Sequence, residues 1–215
     1  GTGDDEIKGG DGIDQIFGED GNDILYGDAG NDEISGGAGN DEIYGGDGND
    51  TINAGEGKNV INGGAGNDVI TTGDEDDYVN AGSGNNTIKT NGGNDEIIDE
   101  GGRNDIDAGE GDNKITINGS ETTVRSGDGN DTITISNGGN SSIYAGNGNN
   151  TITSSASVSV KTVVTGDGND VITLGDVLGF DKSRPNKGVR SGGGDDTITI
   201  EGKLGLAYDS RDGRN

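Results

Sequence analysis

Residues of one class return at every ninth position of this chain: Ile7, Ile16, Leu25, Ile34, Ile43, Ile52, Ile61, Ile70, Val79, Ile88, Ile97, Ile106, Ile115, Val124 and Ile133, without a slip. A fixed short period calls for a stacked architecture in which each repeat is one small unit. The first half of each unit is rich in glycine and the second half carries a β-branched residue, which suits one tight turn and one short strand. Two such units close a coil of 18 residues. In Glu33-Ile34-Ser35, Thr51-Ile52-Asn53 and Thr87-Ile88-Lys89 a single apolar side chain stands between polar ones, so it alone points inward. Stacked coils then give two parallel sheets facing each other across a thin ladder of isoleucine, each backbone pairing with the coil above and below. At about 4.8 Å per coil, roughly twelve coils make a rod on the order of 55 Å long.

Composition excludes a conventional core, since 25% of the 215 residues are hydrophobic and 3% aromatic. With 41 Asp+Glu against 14 Lys+Arg and no His, the formal net charge is -27. In a chain without repeats that balance points to disorder; the strict period opposes it here. So acidic a field repels nucleic acid and anionic lipid, and its natural partner is a cation. There is no cysteine to staple the fold, and no apolar run of the roughly 18 residues that membrane insertion needs. Gly1 falls inside a repeat and not before one, which reads as a piece of a longer protein with flanking domains.

The turns carry the chemistry. In "GGDGND", Gly45 to Asp50, the glycines permit positive φ, and Asn49 is read as the residue that tolerates it best after glycine. A backbone bent this way turns carbonyl oxygens inward, and the closing aspartate adds a carboxylate. Asp5, Asp14, Asp23, Asp32, Asp41, Asp50, Asp68, Asp77 and Asp95 all hold that sixth place. Asp, Asn and Gly are good turn formers, which explains one such turn but not the same turn repeated in register. Hard oxygen ligands, flexible in number and arrangement, suit Ca²⁺ better than Mg²⁺, which keeps its waters, or zinc, which prefers nitrogen and sulfur.

"GGAGNDEIY" and "GGDGNDTIN", residues 36–53, resemble the nonapeptide GGxGxDxUx of the RTX, or haemolysin-type calcium-binding, proteins, and the likeness covers nearly the whole chain. The resemblance implies an all-β, right-handed parallel β-roll or β-solenoid in which each Ca²⁺ lies between the turns of adjacent coils. Loop carbonyls and the sixth-position residues of both turns would hold it. The metal residues implied are the aspartates above with Asp131, Asp170 and Asp196, and the carbonyls of the first turns at Gly10, Gly12 and Gly18-Glu19. Asn59, Asn113 and Asn150 join them, offering a neutral oxygen or forming hydrogen-bond ladders. The resemblance also implies one-step (type I) secretion from Gram-negative-type bacteria, unfolded in low cytosolic calcium and folding outside.

Alternate turns fall on opposite edges of such a roll. One edge reads Asp14, Asp32, Asp50, Asp68, then Asn86, Asn104 and Thr122, so the motif fades. The other reads Asp5, Asp23, Asp41, Asn59, Asp77, Asp95, Asn113 and Asp131, and after the nine-residue register breaks it resumes at Asn150, Asp170 and Asp196, at spacings of 19, 20 and 26 residues. From Ile115 a second inward position appears, as in Ile115/Ile117, Ile133/Ile135 and Ile172/Leu174. The expected organisation is a regular two-edged roll over 1–114, a wider one-edged solenoid over 115–202 and a tail over 203–215. Segments 136–144, 154–164 and 174–190 bulge or lie along the second edge in this reading. The last, with Pro185, Lys182, Arg184, Lys187 and Arg190, reads as a projecting loop for lateral contact. Same-edge neighbours supply roughly seven to fourteen Ca²⁺, a charge comparable to the formal -27. Without them the stacked carboxylates repel and the thin ladder does not compensate, so the cation-free chain is expected to be disordered.

Catalysis is not expected. Lyases and epimerases of acidic polysaccharides need a base and cationic groups around the sugar, whereas this chain has no His and its Lys and Arg are scattered. The paired carboxylates Asp76/Asp77 and Asp195/Asp196 are explained by their turns. Ice binding is opposed by a charged, irregular third turn position (Asp20, Ala38, Glu56, Asp74), and β-propensity accounts for Thr132/Thr134 and Thr151/Thr153. The reading is a calcium-binding structural repeat region of a secreted or cell-surface bacterial protein. It folds on extracellular Ca²⁺ and assembles with other copies in a surface layer, adhesin or filament. The alternative is a calcium-dependent folding and secretion module of an RTX toxin or an extracellular hydrolase or epimerase.

Overall fold

A computed structural model of the chain describes residues 1–137, 139–177 and 188–202. Strands Glu6–Asp11, Ile24–Ala29, Glu42–Asp47 and Val60–Ala65 open one sheet of 11 strands, which continues through Tyr78–Asn80, Glu96–Asp99, Lys114–Ile117, Thr132–Ile135, Thr151–Ser154 and Val171–Leu174 to Thr197–Ile200. The intervening strands, from Gln15–Asp20 to Asp176–Val177, make a second sheet, in which Gly188–Arg190 also pairs with Ser159–Val164. Each strand pairs in parallel with the strand two earlier and two later in the chain, so the chain alternates between the sheets and climbs by one rung per coil. The result is an all-β parallel solenoid of stacked coils.

Among the described residues the first sheet has 11 rungs, slightly fewer than twelve, because the later coils take up more chain. Successive closing bonds run from Asp131 to Asn150, Asn150 to Asp170 and Asp170 to Asp196, across 19, 20 and 26 residues. The turn that opens each coil stacks on the last one regardless of how much chain lies between.

Register follows the ninth-residue pattern. Ile7 stands beside Leu25, Ile16 beside Ile34, Ile43 beside Ile61 and Ile97 beside Ile115. Ile34, Ile43, Ile61, Ile97 and Ile115 are buried almost completely, and Ile, Leu and Val fill nearly all of the core. A β-branched side chain suits such a column, because it is stiff at χ1 and packs against the same residue one rung away. Flanking residues point outward, where Tyr26 and Tyr44 stack with ring centroids 5.0 Å apart and the ammonium of Lys8 lies 4.9 Å from the Tyr26 ring. The position two residues beyond the ladder is buried in the early strands of the first sheet as Gly27, Gly45 and Gly63. From Glu96–Asp99 to Val171–Leu174 larger residues take it, namely Asp99, Ile117, Ile135, Ser154 and Leu174, while in Thr197–Ile200 the equivalent Ile200 is only partly buried.

Segments 136–144 and 154–164 contribute strands Ser141–Tyr144 and Ser159–Val164 to the second sheet, with a register shift between Ser141 and Ser142. They therefore lie along that side of the rod as paired strands. Of the segment read as a projecting loop, Arg190 is in a strand. Pro185, Lys182, Arg184 and Lys187 lie outside the described residues, as does the tail at 203–215.

A solenoid whose coils touch only their neighbours has no redundant core, so one deleted rung is felt in full. Ile97→Ala is expected to cost about 2–5 kcal/mol in chemical denaturation of the calcium-saturated chain. Ile13→Ala, at a side chain 79% exposed, is expected to stay within about 0.5 kcal/mol.

Candidate metal centres

Each coil is closed at its turn by a hydrogen bond between sixth-position residues. The backbone N–H of Asp14 donates to Oδ1 of Asp32 at 2.9 Å, Asp32 to Asp50 at 2.9 Å and Asp50 to Asp68 at 2.9 Å. On the other edge Asp5 donates to Asp23 at 2.8 Å, Asp23 to Asp41 at 2.9 Å, Asp77 to Asp95 at 2.9 Å and Asp170 to Asp196 at 3.0 Å. These are the pairs in which both neighbours are aspartate, and one carboxylate oxygen of each acceptor is committed to the stack.

The other oxygen has no such partner. Oδ2 of Asp14, Asp23, Asp32, Asp41, Asp50, Asp68, Asp77, Asp95, Asp170 and Asp196 is buried and receives no hydrogen bond. In the turns that open with glycine it is aimed at that first residue; at Asp77 and Asp95 the hydroxyls of Thr72 and Thr90 lie beside the carboxylate but are directed to main-chain carbonyls of the next coil. A Cβ built on Gly36 would stand 2.3 Å from Oδ2 of Asp41 and 2.4 Å from the carbonyl oxygen of Ala54 in the next coil. No real Cβ tolerates such contacts, so this glycine is required for space and not for its backbone angle. At the fourth position Gly39 is needed for both reasons, having φ of 136° and the carbonyl of Gly21 against it.

A carboxylate oxygen pressed toward carbonyl oxygens with no proton between them is destabilising unless a positive charge joins them. Among the described residues no three acidic side chains converge. A cation at these turns would therefore rest on carboxylate and main-chain oxygens together, a hard and adaptable donor set that fits Ca²⁺. The residues present fit the ion.

The remaining residues expected at the metal fall into three groups. Asp5 is exposed and lies 3.3 Å from the amino terminus. Asp131 is buried, but its Oδ2 accepts the hydroxyl of Ser126 at 2.6 Å. The asparagines use both ends of the amide: Oδ1 of Asn59, Asn113 and Asn150 accepts the backbone N–H of Asp41, Asp95 and Asp131, while Nδ2 donates to glycine carbonyls of the same turn. Gly10 and Gly12 have φ of 98° and 125°, and Glu19 takes the place of Gly10 one unit later with φ of 75°.

Two features escaped sequence reasoning. Asn49 is not left-handed; that conformation belongs to Gly46 and Gly48. Its backbone N–H instead donates to Oδ1 of Asn31 at 2.8 Å, one rung of an exposed amide ladder through Asn31, Asn49, Asn67 and Asn85. The second feature is Asp99, a buried carboxylate at the first position of its turn. It accepts the N–H of Gly101 at 2.8 Å, the amide of Asn104 at 2.6 Å and the hydroxyl of Thr122 at 2.8 Å. The signal was an exchange of places, acid at position one and Asn at position six, where the first edge loses its motif.

Burial dominates the electrostatics. It pushes the carboxyls of Asp68, Asp95 and Asp131 up to about 6, and raises those of Asp41, Asp50 and Asp77 as well. The neighbouring aspartates of the same column add repulsion at Asp41, Asp50 and Asp68.

A family model for the RTX calcium-binding nonapeptide repeat, in four copies, matches residues 1–34, 26–61, 53–88, 81–115, 135–156 and 162–176. The comparison with curated proteins returned no match.

Because these carboxyls bind protons more tightly folded than unfolded, the cation-free coil stack loses stability as pH rises from about 4 through about 6. In excess chelator, circular dichroism is expected to show coil at neutral pH and a growing β signal as pH falls through that window. In calcium the same protons compete with the ion, so calcium affinity is expected to fall across it. A full β spectrum at neutral pH in chelator would contradict the first, and a calcium affinity unchanged across the window the second.

Proposed function

The chain belongs to the family of RTX calcium-binding nonapeptide repeats, and on that premise we propose that its structural, calcium-binding repeats serve a secreted or cell-surface protein of a bacterium. The observation that carries this reading is the double column of buried carboxylate oxygens without donors. Such a stack is unfavourable where calcium is scarce and favourable where it is plentiful, so folding is coupled to arrival outside the cell. No disulfide is available to clamp the fold, and no helix among the described residues is long and apolar enough to cross a membrane. The ligands are the sixth-position aspartates with carbonyl oxygens of adjacent turns, including those at Gly10, Gly12 and Glu19, and roughly seven to fourteen ions bind per chain.

The role is structural and not catalytic. Cations that a polysaccharide enzyme would gather around a sugar acid are spent in pairs across coils: Lys58 with Asp76 at 2.6 Å, Lys114 with Glu96 at 2.7 Å and Arg125 with Asp105 at 2.7 Å. These pairs are exposed and contribute little to stability. They do leave no cluster of free positive charge on the described surface for an anionic substrate or nucleic acid.

The proposed organisation is a two-edged roll over 1–114 and a wider one-edged solenoid over 115–202, supported by the larger buried residues Ile117, Ile135 and Leu174 that stand in the later coils where Gly27, Gly45 and Gly63 stand in the early ones. Assembly with other copies, or capping by flanking domains, follows from the unpaired strand edges that any solenoid presents at its ends. The same calcium coupling also suits a folding and secretion module attached to a toxin or hydrolase, and the flanking sequence distinguishes the two.

Calcium added to the chelated chain is expected to convert coil to β structure cooperatively while several ions bind by calorimetry. Light scattering in calcium is then expected to report a particle larger than one chain. Folding that is indifferent to calcium would remove the function proposed, and a strictly monomeric rod would remove its assembly.

A further inference from the structure

The first and sixth residues of the turns vary together. Wherever the sixth residue is an aspartate from Asp14 to Asp196, the first is Gly, Ser or Thr; in four turns the pair is alanine with asparagine instead, namely Ala54 with Asn59, Ala81 with Asn86, Ala108 with Asn113 and Ala145 with Asn150. All four alanines are fully buried. Aspartate and asparagine have nearly the same shape and make the same closing bond through Oδ1, so the difference between the turns lies at the other terminal atom.

In most aspartate turns that atom is a buried oxygen with no donor. In the alanine–asparagine turns it is a nitrogen carrying two protons. Nδ2 of Asn113 donates to the carbonyls of Gly109 at 3.4 Å, Gly111 at 3.1 Å and, in the next coil, Ser126 at 3.1 Å. Asn59 reaches Gly55 and Gly57 of its own turn and Asn150 reaches Gly146 and Gly148, while Asn86 donates instead to the carbonyl of Ala81, the first residue of its turn, at 3.3 Å. Ser126, first residue of its own turn, offers the carbonyl equivalent to that of Ala54, which faces Oδ2 of Asp41 across Gly36.

We propose that the two positions act as a pair selecting how a turn is held: glycine with aspartate leaves the turn to calcium, and alanine with asparagine closes it through the side-chain amide with no ion. This rests on the calcium-binding reading above. The turn brings carbonyl oxygens together and needs positive charge among them; a cation supplies it in one case and two N–H groups supply it in the other. A Cβ at Gly36 would stand 2.3 Å from Oδ2 of Asp41, so alanine does not replace glycine beside a carboxylate placed as Asp41 is. Serine or threonine at position one retains the aspartate, and Ser126 shows the hydroxyl bonded to it.

On the longer edge the amide-closed turns at Asn59, Asn113 and Asn150 interrupt the column of aspartates, so its ions bind in short groups and not as one row. The number of bound ions is set by glycine–aspartate and hydroxyl–aspartate pairs, not by the number of turns.

The test is a count of bound calcium on the full chain by equilibrium dialysis, with circular dichroism as the check on folding. The double variant Ala54→Gly/Asn59→Asp is expected to bind additional calcium. The reverse double variant, Gly63→Ala/Asp68→Asn, is expected to lose calcium while keeping its β spectrum. If either fails to fold, the side-chain amide resonances of Asn59, Asn113 and Asn150 in the unaltered chain decide: protons protected from exchange support amide closure, and rapidly exchanging protons overturn it. Unchanged calcium in both folded double variants, or lost calcium on Asn59→Ala, overturns the proposal. A wild-type chain that binds no calcium removes the underlying reading instead.

Discussion

Each aspartate turn divides its carboxylate between two tasks. One oxygen accepts a backbone N–H from the coil before it and thereby sets the stacking of the turns; in most of these turns the other is buried where nothing in the protein donates to it. The first task holds the rod together and the second works against it until a cation arrives. Glycine at position one, left-handed glycine at positions two and four, and the long acidic columns all follow from this geometry. The hydrophobic ladder alone is thin, one isoleucine per strand through most of the length, and it contributes order along the axis more than bulk stabilisation.

The ladder and the parallel stacking were legible because a period of nine repeated through Ile133 admits few other arrangements. The later coils were legible through their turns: Asn150, Asp170 and Asp196 bond in sequence although the chain between them lengthens. Other features could not be read from residue type. Asn49 looked like a residue chosen for its backbone angle, yet it accepts and donates along the outside of the stack, a role visible only once turns are placed 18 residues apart. Asp99 looked like part of a decaying motif, whereas its three hydrogen bonds make it the internal closure of an edge that has lost its aspartates. Sequence distinguishes a glycine needed for space from one needed for φ no better, since both are simply glycine.

Charge is arranged by direction. Inward, carboxylates line two columns; outward, Lys58, Lys114 and Arg125 pair with acids one coil away, and Lys8 with Glu6 of its own strand. The exposed face thus carries a few ion pairs and amide ladders among many further acids such as Asp11, Asp20, Asp47 and Glu56, over an acidic interior edge. Ionic strength acts mainly on the first, and divalent cations on the second.

The bond that joins Asp170 to Asp196 is 3.0 Å long and spans 26 residues, against 2.9 Å and 18 residues for the bond that joins Asp32 to Asp50. The stacking of the turns is therefore independent of how much chain lies between them. A scaffold with that property accepts insertions of differing length at successive levels of one flank while the opposite flank keeps a constant ruler of turns.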